Sequence, residues 1–327
     1  MTMRRFFITV AALCVGTAVS AETLRLSHSY TEDDTRHRWA EKIAELVDEK
    51  TDGAVTVEIF PNQQLFKARE QYNGLVQNRI DLAIYPLPWL SGRAPLAEIG
   101  ALPGVVSEPA DGLEWRSREI WPMLQEAVAE TGVTLAGGGF AMGTIGNTGE
   151  PILLPEDMDG HKMRGLGRAT EAMMMANGAT ITSLPASEIY QALQTGVLSG
   201  VLTIYSSFEG YNLQEVVDHM LIGKGFVGAM HGLLAAPGLE DKIGTEHYEA
   251  VLSAVEESEA WFVEAAAAEQ ADIAAAFEAA GVTVHRLDDD QAAAWQADAE
   301  DNAWSYFREN VPNGDAALEA LTTPLSN

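Results

Sequence analysis

The stretch DGHKMRGLGRATEAMMMANGATITSLPASEIYQALQTGVLSGVLTIY, Asp159–Tyr205, decides the fold. Its apolar runs Ile181–Leu184 and Val201–Tyr205 read as buried strands, with a shorter one over His161–Arg164. Thr170–Asn177 and Ala186–Thr195 carry helical apolar spacing, and Gly178 and Gly196 follow them as C-terminal stops. Strand, helix, strand, helix, strand is the order of an α/β domain on a parallel sheet. Arg164 leaves the first strand just before Gly165. A side chain there can face the crevice outside the strand ends, where open α/β sheets bind ligands. A guanidinium in that crevice is a planar fork for a carboxylate.

Three segments of this region, PEDMDGHKMR (Pro155–Arg164), GA (Gly178–Ala179) and LPASEIYQALQTGVLSG (Leu184–Gly200), have a matching signature elsewhere. The stretch closely resembles the solute-binding proteins of tripartite ATP-independent periplasmic (TRAP) transporters, and looser similarity runs over nearly the whole chain. The resemblance implies a two-lobed periplasmic binding protein fold, type II-like, with hinge strands and a long helix spanning both lobes. It further implies that Arg164 clamps the carboxylate of a transported anion. Lobe I is expected over 22–146 plus about 230–270, and lobe II over 147–229 plus about 271–327.

Around that centre, 327 residues allow one large or two medium domains, and 47% hydrophobic content supplies a sizeable core. Forty-eight acidic against 20 basic residues give a formal charge of −28. That field repels nucleic acid and anionic membranes, so no nucleic-acid partner is expected, and any anion site must be locally basic. The acidity reads as a solubility device for a salty habitat, with an acidic partner-binding face as the alternative.

Met1–Ala21 has the layout of a secretory leader: Arg4 and Arg5, an apolar Phe6–Val19, then Val19-Ser20-Ala21 for cleavage. The apolar run is too short for a membrane span, which needs about 20 residues. The expected mature protein is periplasmic, begins near Glu22, and lacks Cys14, the one cysteine. It therefore relies on its core, without disulfides.

Thr23–Ser29, Val55–Phe60 and Ile80–Tyr85 read as strands, and Thr35–Asp48 as an amphipathic helix through Trp39, Ile43 and Val47. Leu113–Glu130 reads as a helix, with Pro122 next to Trp121 predicting a bend or an earlier break. Met220–Ile222 and Gly232–Ala236 read as strands that return the chain to the first domain. Asp241–Ala280 is mostly helical, followed by a strand at Val282–Leu287, a helix at Gln291–Asn310 and a loosely ordered tail from Asn313.

Further candidate ligand residues surround Arg164. Arg69, with Lys67, opens a helix beside the cleft in the family arrangement; a solvated helix start is the alternative. Trp89 follows a strand end as a cleft wall or core residue. Asn147 matches a frequent family asparagine, against a turn role. Tyr190, Tyr205 and Phe208 are candidate walls, with packing as the alternative for Tyr190. Arg168 adds positive charge, and His231 is a candidate donor. The chain departs from the family pattern at Phe66 and at Ser199, where a glycine and an aspartate are usual. An apolar or aromatic tail on the anion fits that departure, as do a small hydroxy acid, keto acid or sulfonate.

No catalytic or metal-ligand spacing occurs. The seven histidines are scattered, Gly137-Gly138-Gly139 is not GxGxxG, and Met173-Met174-Met175 face different ways on a helix. The expectation is a monomeric binding protein, without cofactor or metal, that delivers an organic anion to TRAP membrane subunits. The alternative is the same fold serving as a periplasmic ligand-sensing subunit for a receptor kinase.

Overall fold

The computed structural model describes residues 21–223 and 227–325. The leader and Cys14 lie outside the described residues, apart from Ala21. Ten strands alternate with helices: β1 Glu22–Ser27, β2 Val55–Phe60, β3 Leu82–Pro86, β4 Thr134–Asn147, β5 Lys162–Arg164, β6 Thr180–Ile181, β7 Gly200–Ile204, β8 His219–Ile222, β9 Val227–Ala235 and β10 Thr283–Arg286.

In the first lobe the strands run β2-β1-β3-β9-β4, with β1 parallel to both β2 and β3. In the second they run β10-β8-β4-β7-β5-β6. The 14-residue β4 belongs to both. Thr134–Gly143 pairs antiparallel with β9, and Gly143–Asn147 with β7. Gly143 is where the partners change, and a Cβ there would lie 2.8 Å from the carbonyl of Thr203. The β5-β6 and β5-β7 pairs are parallel, so the βαβαβ reading of the opening stretch describes the second lobe.

Leu24 and Leu26 alternate inward from β1. The helix Thr35–Lys50 starts where Asp34 accepts the N–H of Arg36, and it buries Trp39, Ile43 and Val47. Trp39 stacks on Phe262 at 4.6 Å between ring centroids and donates to Ser258 Oγ at 2.8 Å. Phe262 lies on the 36-residue helix Thr245–Ala280, about 54 Å long at 1.5 Å per residue. Its first half buries Val251 and Val255 in the first lobe, and its last turns place Phe277 against Phe208 of the second. Gly281, at φ 96°, closes it.

The Gly137–Gly139 run belongs to this packing. A Cβ on Gly137 would meet Val255 at 2.3 Å, on Gly138 Met230 at 2.4 Å, and on Gly139 Phe262 at 2.4 Å. Glycine here leaves room against β4 for the long helix and for the Met230 side chain.

Leu113–Glu130 has the expected break ahead of Pro122: it is divided into Asp111–Glu114, a 3-10 turn and Ile120–Ala129, with Pro122 in the first turn of the last, where its missing N–H costs nothing. Three other expectations need correction. The strand β8 does not return to the first lobe; it pairs with β10 and the far end of β4. The strand expected over Ile181–Leu184 is only Thr180–Ile181. The tail is not loose, because Gly314–Ala320 is a helix that buries Ala317 and Ala320. The Leu325 N–H reaches Ser117 O at 2.8 Å, tying the chain end to the first lobe. Among the described residues, no helix is long and apolar enough to cross a membrane.

Candidate ligand-binding cleft

The C-terminal ends of β1, β3, β5 and β7 converge between the lobes, around a narrow, partly open cavity. Arg164 ends β5 and is 4% exposed. Its turn is fixed by Thr170, whose Oγ1 accepts the N–H groups of Leu166 (3.0 Å) and Gly167 (2.9 Å) and donates to Gly167 O. Gly165 has no room for a side chain: a Cβ would lie 2.8 Å from Glu171 Cγ.

Two backbone carbonyls orient the guanidinium. Nε donates to Leu184 O at 3.2 Å and Nη1 to Leu202 O at 3.3 Å. Those bonds leave N–H groups over from the five that an arginine carries. Among the described residues no carboxylate lies within 4.0 Å of it. Burial pushes its pKa down to about 10, against the attraction of Glu171 and with the repulsion of Arg69. It remains a cation at neutral pH.

The opposite wall comes from the first lobe and centres on Arg36, which the sequence reading missed. Arg36 is buried over the Tyr30 ring, with its Cζ 3.6 Å from the centroid. It grips Asp34 with two prongs, Nε on Oδ1 at 2.8 Å and Nη2 on Oδ2. Nη2 also donates to Ser207 Oγ of the second lobe at 3.3 Å. Burial opposes this charge, but Asp34 overrides it and raises the Arg36 pKa. His231 lines the cavity from β9. Its Nδ1 lies 3.0 Å from Ala229 O, which can only accept, so Nδ1 carries the proton and Nε2 accepts from Arg36 Nη1 at 3.2 Å. Burial and Arg36 hold the imidazole pKa well below its ordinary value, keeping it neutral. The available signal was position: Tyr30 to Arg36 immediately follows the C-terminal end of β1, the ligand side of such a sheet.

Trp89 stands in the cavity wall, edge-on to Tyr85, and the Arg69 guanidinium lies 4.8 Å from its ring centroid. A second, roomier and more polar chamber adjoins on the far side of Trp89 and Arg164. Arg69 and Arg168 line it, together with Glu98 and Glu171.

The structure thus brings Arg164, Trp89 and His231 to the cavity, and Arg69 and Arg168 to the neighbouring chamber. Lys67 lines neither.

The other candidates lie elsewhere. Asn147 ends β4, and its side chain ties the turn that follows, donating to Thr148 O (3.1 Å) and Glu150 O (2.6 Å). Tyr190 donates to Glu215 at 2.7 Å on the outside of the second lobe. Tyr205 is buried beside Thr144 and Gln270, and Phe208 packs on Phe277 at 5.8 Å. Both follow β7 on the helix Tyr205–Gly210, which turns them into the core while Ser207 faces the cavity. Ser199 does not approach the cavity; its Oγ accepts the Lys162 N–H at 2.9 Å near the start of β5. From β7, the buried Thr203 lines the cavity.

Comparison with known proteins agrees with this arrangement. The family model described as bacterial extracellular solute-binding protein, family 7, matches residues 26–310. A solute-binding protein of Albidiferax ferrireducens is 30% identical over 308 residues, 91% of this chain and 90% of its own. The C4-dicarboxylate-binding periplasmic protein of Rhodobacter capsulatus is 29% identical over 295 residues, 87% of this chain and 86% of its own. The crystal structure of a TRAP periplasmic solute-binding protein from Rhodoferax ferrireducens, with bound malonate, superposes with a TM-score of 0.86 at 28% identity, covering 91% of this chain and 96% of that one. One from Sulfurospirillum deleyianum, with bound succinate, gives 0.82 at 25% identity, covering 94% and 100%. This chain belongs to family 7 of the bacterial extracellular solute-binding proteins, the binding components of TRAP transporters.

Proposed function

We propose that this protein captures an organic carboxylate between its lobes in the periplasm and presents it to the membrane subunits of a TRAP transporter. It works by binding, as a monomer, and not by turnover. The observation that carries the reading is Arg164: a buried guanidinium on the interlobe cavity, aimed by two carbonyls and left without a carboxylate partner among the described residues. In a chain of charge −28, such a cation is held at a desolvation cost that a bound anion would offset. The two related structures hold malonate and succinate, ligands with a carboxylate of the kind a free buried guanidinium suits. Trp89 would close over the ligand body, and His231 and Ser207 would meet it from the hinge and the second lobe. Residues 1–21 would be removed on export, and β1 begins at Glu22, beside the expected cleavage point.

A thermal-shift panel of mono- and dicarboxylates, sulfonates and neutral amides tests this reading. A ligand at about 100 times its Kd stabilises by about 2.7 kcal/mol. Carboxylates should raise the melting temperature and their amides should not. Stabilisation by amides alone would defeat the anion reading. For export, intact-mass analysis of periplasmic protein should show residues 1–21 gone; their retention would overturn the cleavage.

A further inference from the structure

The distribution of charge around the cavity narrows the ligand class, on the reading of the cleft as an anion site. We propose that the protein selects organic monoanions, with one carboxylate on a compact apolar or flat body, and that Asp34 is the residue that excludes a second carboxylate.

Two guanidinium groups line the cavity, and only one is free to take an anion. Asp34 already neutralises Arg36 with both carboxylate oxygens. Further Arg36 donors are engaged by His231 and Ser207, and its face is covered by the Tyr30 ring. A ligand carboxylate reaching Arg36 would meet a filled fork with an aspartate behind it. The nearby His231 is neutral and offers no charge.

The rest of the wall suits an uncharged body. Pro88, Trp89, Leu166, Pro185, Ile204 and Ala229 present apolar surface, while Ser29, Thr203 and Ser207 offer hydroxyls. Hydroxyls can serve a neutral hydroxy or keto substituent, but they do not pay for desolvating a second charge.

The adjoining chamber does not reverse the conclusion. Beyond Arg164 itself, its cations Arg69 and Arg168 are matched one for one by Glu98 and Glu171. A second carboxylate directed there would share the space with the carboxyl groups of Glu98 and Glu171.

The test is calorimetry with matched probes: butyrate against succinate, benzoate against phthalate, and benzamide as the neutral control. Asp34→Asn is the decisive variant. Asparagine retains a side-chain oxygen to cap the helix Thr35–Lys50, yet releases the Arg36 fork. In the wild type, at least one monocarboxylate should bind tenfold or more tighter than its dicarboxylate partner. Asp34→Asn should improve succinate or phthalate at least fivefold more than it improves the matching monocarboxylate. Equal or tighter dicarboxylate binding in the wild type would overturn the proposal while leaving the anion site intact. So would no binding of either monocarboxylate at millimolar concentration, or an unchanged ratio in a folded Asp34→Asn protein. Binding of benzamide as tight as benzoate would instead remove the anion reading on which the proposal rests.

Discussion

Glu98 of the first lobe accepts the backbone N–H of Ala169 in the second, Oε1 to N, at 2.9 Å. Glu98 lies on the 3-10 helix Pro95–Ala101, and Ala169 is the second residue of the helix Arg168–Ala176, five residues after Arg164. A carboxylate at a helix N-terminus meets its unpaired N–H groups and the positive end of its dipole. Gly167 makes the approach possible, since a Cβ there would lie 2.5 Å from Glu98 Oε1. The bond fastens the two lobes beside the segment that carries Arg164.

Removing the fastener should therefore act on closure. A hydrogen bond to a charged group contributes about 1.5–3 kcal/mol, so Glu98→Ala should speed ligand release by roughly tenfold to a hundredfold. The association rate and the melting temperature without ligand should change far less. Stopped-flow kinetics checks this, and an unchanged release rate would show that the contact does not hold the closed form. X-ray scattering on the wild type should show a smaller radius of gyration at saturating ligand, as expected if ligand favours the closed state.

Glu269 supplies a pH prediction. It is 8% exposed, accepts from Thr35 Oγ1 at 2.6 Å, and burial, with Asp34 nearby, pushes its pKa up to about 7 from 4.5. The folded state thus holds the proton more tightly than the unfolded chain. The stabilisation is complete below pH 4.5 and is lost as pH rises through 7. Glu269→Gln keeps an acceptor for Thr35 and has no such dependence. Relative to that variant, the wild type should lose about 2–3 kcal/mol between pH 4.5 and 8. His28, held down to about 3 by burial and His37, acts in the opposite sense, because its contribution is lost as pH falls below 6.5. That part is common to both proteins and cancels in the comparison. Parallel melting curves across the pH range would count against the Glu269 assignment.

The glycines of β4 give a stability prediction with no ligand component. Gly139→Ala must displace Phe262, and Gly137→Ala must displace Val255, each in a tightly packed layer. Each should cost about 1–3 kcal/mol in urea unfolding, as overpacking does, while ligand affinity in the folded protein stays the same. Wild-type stability in both variants would mean that the helix Thr245–Ala280 can shift away freely.

These glycines also show where sequence reading stops. The periodic stretch Asp159–Tyr205 declares its strands and helices because each buries an apolar face locally. Arg164 is legible because a glycine turn leaves a strand end. Gly137–Gly139 has no local meaning, since its role is set by Val255, Met230 and Phe262, residues about 90–125 positions away. Arg36 was hidden for a related reason. On the chain it is one polar residue at a helix start, and only folding brings Asp34, Tyr30, His231 and Ser207 around it. Tyr205 and Phe208 erred in the other direction: the aromatic residues just past β7 turn into the core, and the small Ser207 between them faces the cavity.

The central claim is that Arg164 holds the ligand carboxylate, and calorimetry on Arg164→Ala and Arg164→Lys tests it most directly, using the tightest-binding carboxylate of the wild type. Arg164→Ala should weaken binding by about 2–5 kcal/mol, roughly 30-fold to several thousand-fold, because a buried carboxylate is left unpaired. Arg164→Lys keeps the charge but lacks the planar fork, so it should also bind more weakly than the wild type. Both variants should retain cooperative unfolding without ligand. Wild-type affinity in a folded Arg164→Ala protein would contradict the account. Loss of the folded state along with binding would instead make Arg164 a structural tie between Leu184 and Leu202.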